Sequence, residues 1–597
     1  MQSVNQMNAM GTGWIQNVIQ DGRQPSAFRL GGELGFRTQR CIRRIASELP
    51  YSREYILSQI SGAPDQWSNF RKFHGDIAGR WILAMTHAHA GAATPPEHLR
   101  AIVDDVLALQ NADGTFGCVQ HHDTLPNMHK AYGNGWLLKG LAVFAQTFGH
   151  ACAAHAAATL GQWYARTFHI WTAGTRSERD AGGNYAVSRS CYFHALDGLV
   201  SLFRLTGDHA VLDLAGAFIP HLTPLQAADH AHMYLTCRRG ALEYYIVKND
   251  AAGIARLADE LRCFADTFVL ETGGVPERLE HDERKRQDPE RIFTDEACAD
   301  LDWLLLCLRL HDVTGVGRWR DLALLNLENQ IFYNQQDNGG FGDSAFGPYY
   351  PRFQKEAPWC CSLFGPFGLL SAAALLVRRE HNAVVLYAPL TGSFKFADGT
   401  ALQVTRDDQR QVLCLDIRPG PGVAQCSLKL PFWLQANTTE FSVNGTLQVE
   451  VPFAYRLWCA HPRREPTPCA TVAADSPHTL FYGPWLLAHR FHAPLPAVHA
   501  AVDRDGFIQE FAADTIRGLG QYGQSVRIRM PSDFTADAHD VALYPHQHTG
   551  ELFLYPLKDK EVVWRAWTRV TMRPPASDHI LQAALAARAP RSSAPHG

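Results

Sequence analysis

Two adjacent cysteines, Cys360 and Cys361, are the residues of this chain whose types and spacing most directly suggest chemistry. Neighbouring cysteines rarely form a disulfide with each other, because the ring that would close is strained. Two interpretations stay open: the thiols pack as small apolar side chains in a buried turn, or they bind a metal ion as thiolates. The segment Glu296-Ala297-Cys298 offers a carboxylate and a third thiol, which would complete a tetrahedral set of zinc ligands.

The residues on either side of these two segments predict helices. From about residue 67 to 377, apolar residues recur three and four positions apart, which is typical of helices that bury one face. Turns that contain glycine or asparagine near residues 149, 207, 250 and 315 divide this region into helix pairs. Several helix pairs in series can close into a ring whose loops gather at one end, and loops on a rigid scaffold often carry functional residues.

The spacing of apolar residues changes to a period of two after about residue 377. Segments 383–387 and 412–417 are typical of strands, and Asn444-Gly445 is typical of a hairpin turn. The sequence therefore predicts an α+β multidomain chain. Its parts are a helical domain at residues 1–377, a β-sandwich at 378–490, a second β-rich region at 491–587 and a disordered tail at 588–597.

Composition narrows the class of partner. The chain has 597 residues, of which 46% are hydrophobic and 19% charged, and its net charge is −4. This balance offers no basic surface for nucleic acid, and no run of 18 apolar residues is long enough to span a membrane. No signal peptide is visible, and the 14 scattered cysteines fit a reducing compartment. We expect a cytoplasmic protein without nucleic acid or membrane partners, and a monomer and a homodimer both stay open.

Several segments resemble glycoside hydrolase family 127, the cysteine-dependent β-L-arabinofuranosidases. The run 295–299, Asp-Glu-Ala-Cys-Ala, resembles the family's Ala-Glu-Thr-Cys-Ala, and Cys360-Cys361 resembles its adjacent cysteines. The run 128–132, Met-His-Lys-Ala-Tyr, resembles its Met-His-Glu-x-Tyr segment, and His230-Ala231 resembles its His-Ala segment. The resemblance extends over about residues 70–450, and its most specific parts are the Glu-x-Cys and Cys-Cys motifs.

The resemblance implies an (α/α)6 helical toroid followed by β-sandwich domains, with one zinc ion at the mouth of the toroid. It also implies a retaining exo-glycoside hydrolase that releases a furanose, most directly β-L-arabinofuranose, from oligosaccharides or glycopeptides. In the family the first cysteine of the adjacent pair is the nucleophile, which points to Cys360. A metal-bound cysteine is deprotonated and can attack, and a glutamate would protonate the leaving oxygen and then activate water. The implied zinc ligands are Glu296, Cys298, Cys360 and Cys361.

The acid/base glutamate is the part of the resemblance that this sequence follows least closely. The family places it after Thr-Gly-Gly, sixteen residues before the glutamate of Glu-x-Cys, and the same count from Glu296 leads to Glu280. Glu277 is the second candidate and Glu283 the third. Because charges of both signs are dense around residues 280–290, a solvated loop without a catalytic role is the alternative interpretation.

Five residues are candidates for sugar contacts by the same resemblance. Tyr192 stands where the family has a histidine, with His194 two residues further on, and Lys130 replaces the family's glutamate. These differences spare the metal ligands but change the pocket wall. They leave open a different sugar, or a zinc-stabilised carbohydrate-binding protein that lacks catalysis. The five candidates are His129, His230, Glu328, Tyr192 and His194.

Overall fold

The described α-helices all end by Leu375, and seventeen of the twenty-two described strands begin at Val377 or later, close to the predicted change in apolar spacing. The computed structural model describes residues 14–17, 23–61, 73–117, 128–173, 190–222, 230–270, 272–280, 293–346, 353–408, 410–429, 438–442, 445–459, 477–489, 500–502, 508–511, 516–517, 526–529, 551–556 and 569–571. The predicted tail at 588–597 lies outside these residues, and so does Glu283.

The helical half contains fifteen described α-helices. In chain order they are α1 (Gly32–Ser47), α2 (Arg53–Ser61), α3 (Asp76–His89), α4 (Glu97–Ala108), α5 (Met128–Phe148), α6 (Ala151–Ala173), α7 (Ser190–Phe193), α8 (Leu196–Thr206), α9 (His209–Phe218), α10 (Ala231–Val247), α11 (Ala251–Phe268), α12 (Ala297–Thr314), α13 (Gly317–Leu325), α14 (Phe332–Asn334) and α15 (Cys361–Leu375). A π-helical turn, Asn326–Ile331, joins α13 to α14. None of the described helices has the length and hydropathy of a membrane span.

Six of these helices contact one another in a closed cycle: α3 with α5, α5 with α8, α8 with α10, α10 with α12, α12 with α15, and α15 with α3. The helices α4, α6, α9, α11 and α13 each follow a helix of the cycle and pack on its outside, and α1 packs on α15. Every residue of α12 from Ala297 to Asp312 is buried, as expected for a helix enclosed on all sides. In the outer helix α11 the buried residues recur every three or four positions, from Gly253 to Phe268.

The predicted turns end helices where expected. Gly207 and Gly315 follow α8 and α12 with left-handed backbones, at φ 70° in both cases, and their N–H groups bond to carbonyls near the helix ends. Gly149 and Asn249 also have positive φ, 67° and 51°. A side chain with a Cβ atom is strained in this conformation, which is why glycine and asparagine mark these positions.

The strands are β1 (Ile15–Gln16), β2 (Ala27–Leu30), β3 (Phe293–Glu296), β4 (Gly342–Phe346), β5 (Phe353–Glu356), β6 (Val377–Glu380), β7 (Ala383–Leu386), β8 (Gly392–Lys395), β9 (Ala401–Asp407), β10 (Val412–Arg418), β11 (Gln425–Lys429), β12 (Thr438–Ser442), β13 (Gly445–Glu450), β14 (Tyr455–Cys459), β15 (Pro477–Tyr482), β16 (Trp485–His489), β17 (Ala500–Val502), β18 (Ile508–Phe511), β19 (Ile516–Arg517), β20 (Val526–Arg529), β21 (Glu551–Pro556) and β22 (Arg569–Thr571).

Two sheets follow the helical half directly. One has the order β1-β2-β8-β9-β10-β13 and the other β12-β11-β7-β6. Leu402 and Leu415 from the first sheet and Val384 and Leu428 from the second are buried in the same apolar core. A further sheet has the order β14-β15-β16-β21-β20-β19, with β22 beside β15, and β17 pairs with β18. The sequence assigned residues 1–377 to the helical domain, whereas β2 pairs with β8 in register Phe28 to Phe394, which ties the first strands to the sheet.

Candidate metal centre

The two segments singled out by their cysteines meet at the starts of two neighbouring helices. Glu296 ends β3 and precedes α12, and Cys298 lies in the first turn of that helix. Cys360 precedes α15 and Cys361 is its first residue. The start of a helix carries partial positive charge, which stabilises thiolates and carboxylates there.

The four side chains have the spacing of a tetrahedral site. One ligand atom from each lies within 4.8 Å of all the others, and all four residues are buried. Cys361 Sγ is 3.4 Å from Cys298 Sγ and 3.5 Å from Cys360 Sγ, and both sulfurs of the adjacent pair lie 3.7 Å from Glu296 Oε1. Bond lengths of ~2.3 Å to sulfur and ~2.1 Å to oxygen around zinc give tetrahedral edges of about 3.6–3.8 Å. The donors therefore fit one zinc ion.

A small sheet accounts for the meeting of segments so distant in sequence. In β3-β4-β5, Glu296 lies opposite Asp343 and Gly342 lies opposite Glu356. The outer strands β3 and β5 lead into α12 and towards α15 respectively, so that the sheet holds both helix starts side by side. Glu296 is both the last residue of β3 and the residue that caps the start of α12, so its carboxylate lies at the head of that helix.

The charges within the cluster are unevenly distributed. Burial raises the pKa of Cys298, but hydrogen bonds from Cys360 and Cys361 outweigh burial and hold that pKa well below its usual value. Burial raises the pKa of Cys360 and of Cys361 well above the ordinary range. Burial also raises the pKa of Glu296, yet the facing His230 brings it down to about 2. Glu296 and Cys298 are therefore the two groups whose ionised forms the surroundings favour.

Arg80 supplies the buried positive charge next to this cluster. Its Nη1 lies 3.5 Å from Cys298 Sγ, and its side chain is 1% exposed. Nε donates to Asp76 at 2.6 Å and Nη2 donates to the Tyr132 hydroxyl at 2.6 Å. Nη2 is also 3.0 Å from His232 Nε2. A buried charge of this kind is stable only when paired, and here it compensates the thiolate.

A chain of polar contacts leads from Arg80 away from the cluster. His232 Nδ1 lies 2.6 Å from Asp302 Oδ2, and Asp302 Oδ1 lies 3.3 Å from Arg239 Nε. Burial lowers the pKa of His232, but the Asp302 carboxylate outweighs burial and raises it. Asp302 therefore orients the imidazole whose other nitrogen faces Arg80.

The segment that carries Glu277 and Glu280 is hydrogen-bonded to strand β3 and to the first residue of α10. The Glu277 N–H donates to the Thr294 carbonyl at 2.7 Å, and the Ala231 N–H donates to the Glu277 carbonyl at 2.9 Å. His230 Nε2 lies 3.1 Å from Glu296 Oε2 and 3.9 Å from Glu277 Oε1. A single imidazole therefore lies between a candidate metal ligand and the carboxylate of Glu277.

Glu280 and Asp343 lie near the same segment and strand. Glu280 is half-buried, three residues after Glu277. Burial, together with the carboxylates of Glu296 and Glu277, raises the pKa of Asp343 to about 8. The sequence analysis did not identify Asp343, because nothing in its neighbourhood along the chain shows that β4 pairs with β3.

Two of the predicted sugar-contacting histidines lie among aromatic rings. His129, half-buried at the start of α5, packs edge-on against Phe73 at 4.7 Å between ring centroids. His194 is 3% exposed and packs against Tyr132 at 4.5 Å and Trp136 at 4.9 Å. Neither ring nitrogen of His194 has a hydrogen-bond partner among the described residues, and burial holds its pKa well below the usual value.

The remaining two candidates have partners within the protein. The Tyr192 hydroxyl donates to the Tyr164 carbonyl at 2.7 Å, and its ring stacks on Trp171 at 4.3 Å. Glu328 accepts a 2.6 Å hydrogen bond from Arg406 of β9, which joins the helical half to the first sheet. These contacts hold Tyr192 and Glu328 to other parts of the protein and give both residues a structural role.

Sequence reasoning missed Arg80, His232 and Asp302, although each carries a visible signal. Each lies in a helix whose neighbouring residues are almost all apolar, and a charged or polar residue in such a place is seldom buried without a partner. Asp302 also follows Cys298 by four positions, which puts the two on one face of α12.

Comparisons with known proteins bear on this site. A family model described as Beta-L-arabinofuranosidase, GH127 catalytic domain, matches residues 42–342. A GH127 β-L-arabinofuranosidase from Geobacillus stearothermophilus T6 has a similar structure, with a TM-score of 0.60 and 12% identity over 87% of this chain and 96% of that one. A second GH127 β-arabinofuranosidase gives a TM-score of 0.62 and 15% identity over 92% and 99%. No curated protein sequence matches the chain significantly.

Proposed function

Because the chain belongs to the GH127 β-L-arabinofuranosidases and is a glycoside hydrolase, we propose that it is a retaining exo-enzyme with a zinc-bound cysteine nucleophile. The substrate is a β-L-arabinofuranoside carried by an oligosaccharide or a glycopeptide. The observation that carries the proposal is the tetrahedral spacing of one carboxylate and three thiols at two helix starts.

The fold proposed for this activity is an (α/α)6 toroid followed by β-sandwich domains. The closed cycle of six helices with outer helices packed around it supports the toroid. The shared core of the first two sheets supports a sandwich. We keep the division into residues 1–377, 378–490 and 491–587, with strands β1 and β2 added to the sandwich by their pairing.

Zinc is the proposed metal, since three sulfurs and one carboxylate are donors that it accepts in tetrahedral sites. Glu296, Cys298, Cys360 and Cys361 would hold it. When bound, the metal would keep the cysteines deprotonated at neutral pH. The thiols must also stay reduced, which favours the cytoplasm as the location.

Cys360 is the proposed nucleophile because it is the most exposed of the three cysteines. It is 7% exposed, whereas Cys298 and Cys361 are fully buried. In the first step, Cys360 Sγ bonds to the anomeric carbon while the glycosidic C–O bond breaks and a carboxylic acid protonates the leaving oxygen. In the second step, the same carboxylate takes a proton from water, whose oxygen bonds to the anomeric carbon as the C–S bond breaks.

Glu277 and Glu280 compete for the acid/base role. The count along the family motif favours Glu280, while the 3.9 Å approach of Glu277 to His230 favours Glu277. We propose that His230 and His129 contact the sugar and that His194 contributes to the same wall, since its ring nitrogens have no partner among the described residues. The partners already found for Tyr192 and Glu328 make a direct sugar contact less well supported for these two.

Hydrolysis of an aryl β-L-arabinofuranoside tests the function. The parent protein should release the phenol with about one zinc per chain, and Cys360→Ser should lose activity by about 10³-fold or more. Cys263→Ser, at an exposed cysteine of α11, is the matched control and should keep full activity. A zinc-loaded parent protein that is inactive on this substrate but active on another aryl glycoside would refute the sugar assignment. Inactivity on all of them would favour a carbohydrate-binding role.

A further inference from the structure

A cavity lies within the helical half, and none of the four candidate metal ligands is among the described residues that line it. Its volume is about 530 Å³, and all six helices of the cycle contribute to its wall. Arg239 and Leu305 line it seven residues after His232 and Cys298 respectively, a distance of about 10 Å along a helix. Trp136 lies between the two sites, since Arg80 Cζ is 4.0 Å from its ring and Arg239 Cζ is 5.9 Å from the same ring.

Basic side chains outnumber acidic ones in this wall. Its two carboxylates are Asp197 and Glu243, and its four basic residues are Lys139, Arg204, Arg239 and Arg309. Lys139 and Arg239 share Asp197, and Arg204 and Arg309 share Glu243. Each carboxylate therefore faces two cations.

Two carboxylates outside the wall also contact these cations, but each is shared with another basic group. Asp302 lies 3.3 Å from Arg239 and 2.6 Å from His232. Asp312 pairs with Arg309 and also with Arg378. Asp302 and Asp312 therefore neutralise the cations of the cavity only in part, and the wall keeps an excess of positive charge.

Polar atoms in the wall lack partners. Arg239 is 5% exposed, and none of its three guanidinium nitrogens has hydrogen-bond geometry to a described residue, although Asp197 lies 3.1 Å away. The Ser371 hydroxyl is likewise without a partner among the described residues, and Ser371 is 2% exposed. Buried polar groups are nearly always hydrogen-bonded, so these atoms indicate that a polar ligand belongs in the cavity.

The electrostatic environment agrees with this charge excess. Burial and, next, the charge of Arg239 together lower the pKa of Lys139 to about 8, against the opposing effect of Asp197. Burial lowers the pKa of His87 to about 3, and Lys139 contributes to that shift. Both groups also line the cavity, where a bound anion would offset the repulsion between its cations.

We propose that this cavity binds a phosphate-type dianion, either free or carried by a molecule of monosaccharide size. Arginine pairs with phosphate through its N–H groups. Arg239 Nε and Nη2 lie near Asp302 and Asp197 without hydrogen-bond geometry, and Nη1 has no hydrogen-bond partner among the described residues. The volume falls within the ~300–1,000 Å³ of small-molecule sites, which is more than inorganic phosphate alone requires. Arg204 belongs to the wall and its side chain is 35% exposed, so the wall reaches solvent at this residue.

Titration calorimetry of the zinc-loaded full chain with inorganic phosphate tests the proposal, with glucose 1-phosphate as the second arm and sodium chloride at equal ionic strength as the control. Phosphate should bind and chloride should not. Tighter binding of glucose 1-phosphate would identify a sugar phosphate as the ligand, and equal or weaker binding would identify free phosphate. Absence of binding by both would overturn the proposal.

Variants locate the bound anion. Arg239→Met should weaken phosphate binding at least about tenfold, since charge-assisted hydrogen bonds are lost. Ser371→Leu should weaken it by filling the cavity while all charges stay in place. Arg262→Met, at an exposed pair with Asp259, should bind like the parent protein. Binding that survives in both cavity variants, or that is lost in Cys360→Ser, would overturn the proposal.

Crystals of the unmodified chain soaked in arsenate, a heavier phosphate analogue, keep the test independent of how the variants fold. Anomalous density beside Arg239 and Lys139 is the expected result. Density at the four metal ligands alone, or no density in the cavity, would overturn the assignment.

Discussion

Replacement of Arg80 by methionine tests two roles of its buried guanidinium: charge compensation at the candidate metal site and stabilisation of α3. Arg80 Nη1 is 3.5 Å from Cys298 Sγ, and its Nε is 2.6 Å from Asp76. The contact with Cys298 affects the candidate metal site. The contact with Asp76 stabilises α3, because Asp76 and Arg80 are one turn apart on that helix. The double variant Asp76→Asn/Arg80→Met removes both members of the pair and so isolates the first role.

The expected magnitudes differ for the two roles. Removal of one partner from a buried ion pair costs about 3–5 kcal/mol of unfolding free energy, because the Asp76 carboxylate is left uncompensated. The gross attraction across 3.5 Å at an effective dielectric constant near 20 is about 5 kcal/mol, but bound metal already neutralises part of the thiolate charge. Loss of a residue that supports a metal ligand typically weakens metal binding about 10- to 100-fold, which is the change expected here.

Two assays measure these quantities on the same samples. Urea unfolding of the metal-free protein should show Arg80→Met destabilised and the double variant largely restored. Competition with a chromogenic chelator should show zinc binding weakened to the same extent in both variants. Zinc affinity that equals the parent's in Arg80→Met would refute the view that the guanidinium compensates Cys298. Affinity restored together with stability in the double variant would show that Arg80 acts only through the fold.

Three further predictions follow from the same contacts. Glu277→Gln and Glu280→Gln, three positions apart on one segment, should distinguish the acid/base residue from its neighbour. The variant at the acid/base residue should lose about 10²–10⁴-fold in kcat, and the other should keep a kcat close to that of the parent protein. A near-normal kcat in both variants would contradict both assignments. Chelation of the metal should lower the unfolding temperature of the parent protein, because metal binding adds to folding free energy. Cys361→Ser should unfold at the same temperature with or without chelator. An unfolding temperature of the parent protein that chelator leaves unchanged would show that the metal does not stabilise the fold. His87 has a folded pKa of about 3 against its ordinary value of 6.5, so its contribution to stability is complete above pH 6.5 and is lost as the pH falls towards 3. In the presence of chelator, His87→Gln should reduce this loss of stability in acid by up to about 5 kcal/mol. An identical pH profile would show that His87 does not titrate as described.

Local patterns were sufficient to group the four candidate metal ligands and to predict the order of structural types along the chain. A carboxylate and three thiols have few other uses in such a combination, so Glu296, Cys298, Cys360 and Cys361 could be grouped before any fold was known. The spacing of apolar residues reflects which faces are buried, and its change near residue 377 separated helices from sheets because the two periods differ. Glycines at helix ends were equally visible, since φ is a property of one residue.

Contacts between distant segments depended on the tertiary structure. The pairing of β3 with β4 and of β4 with β5 brings the two motifs together and adds Asp343 to the site. The pairing of β2 with β8 moves the first strands into the sheet. Strand register is set by packing and turns far from the residues concerned, which is why no local pattern reveals these neighbours.

The charges of the site also depended on three-dimensional neighbours. A sequence lists Arg80, Asp302 and His230 as charged or polar residues, but the free energy of a buried charge depends on the few ångströms around it. The same dependence made Glu277 a stronger competitor to Glu280 once His230 was found beside it, and it gave Tyr192 a partner in the Tyr164 carbonyl. The sequence by itself determined which atoms could bind a metal; the folded chain determined which side chains surround that metal site, because only folding sets the distances on which electrostatic energy depends.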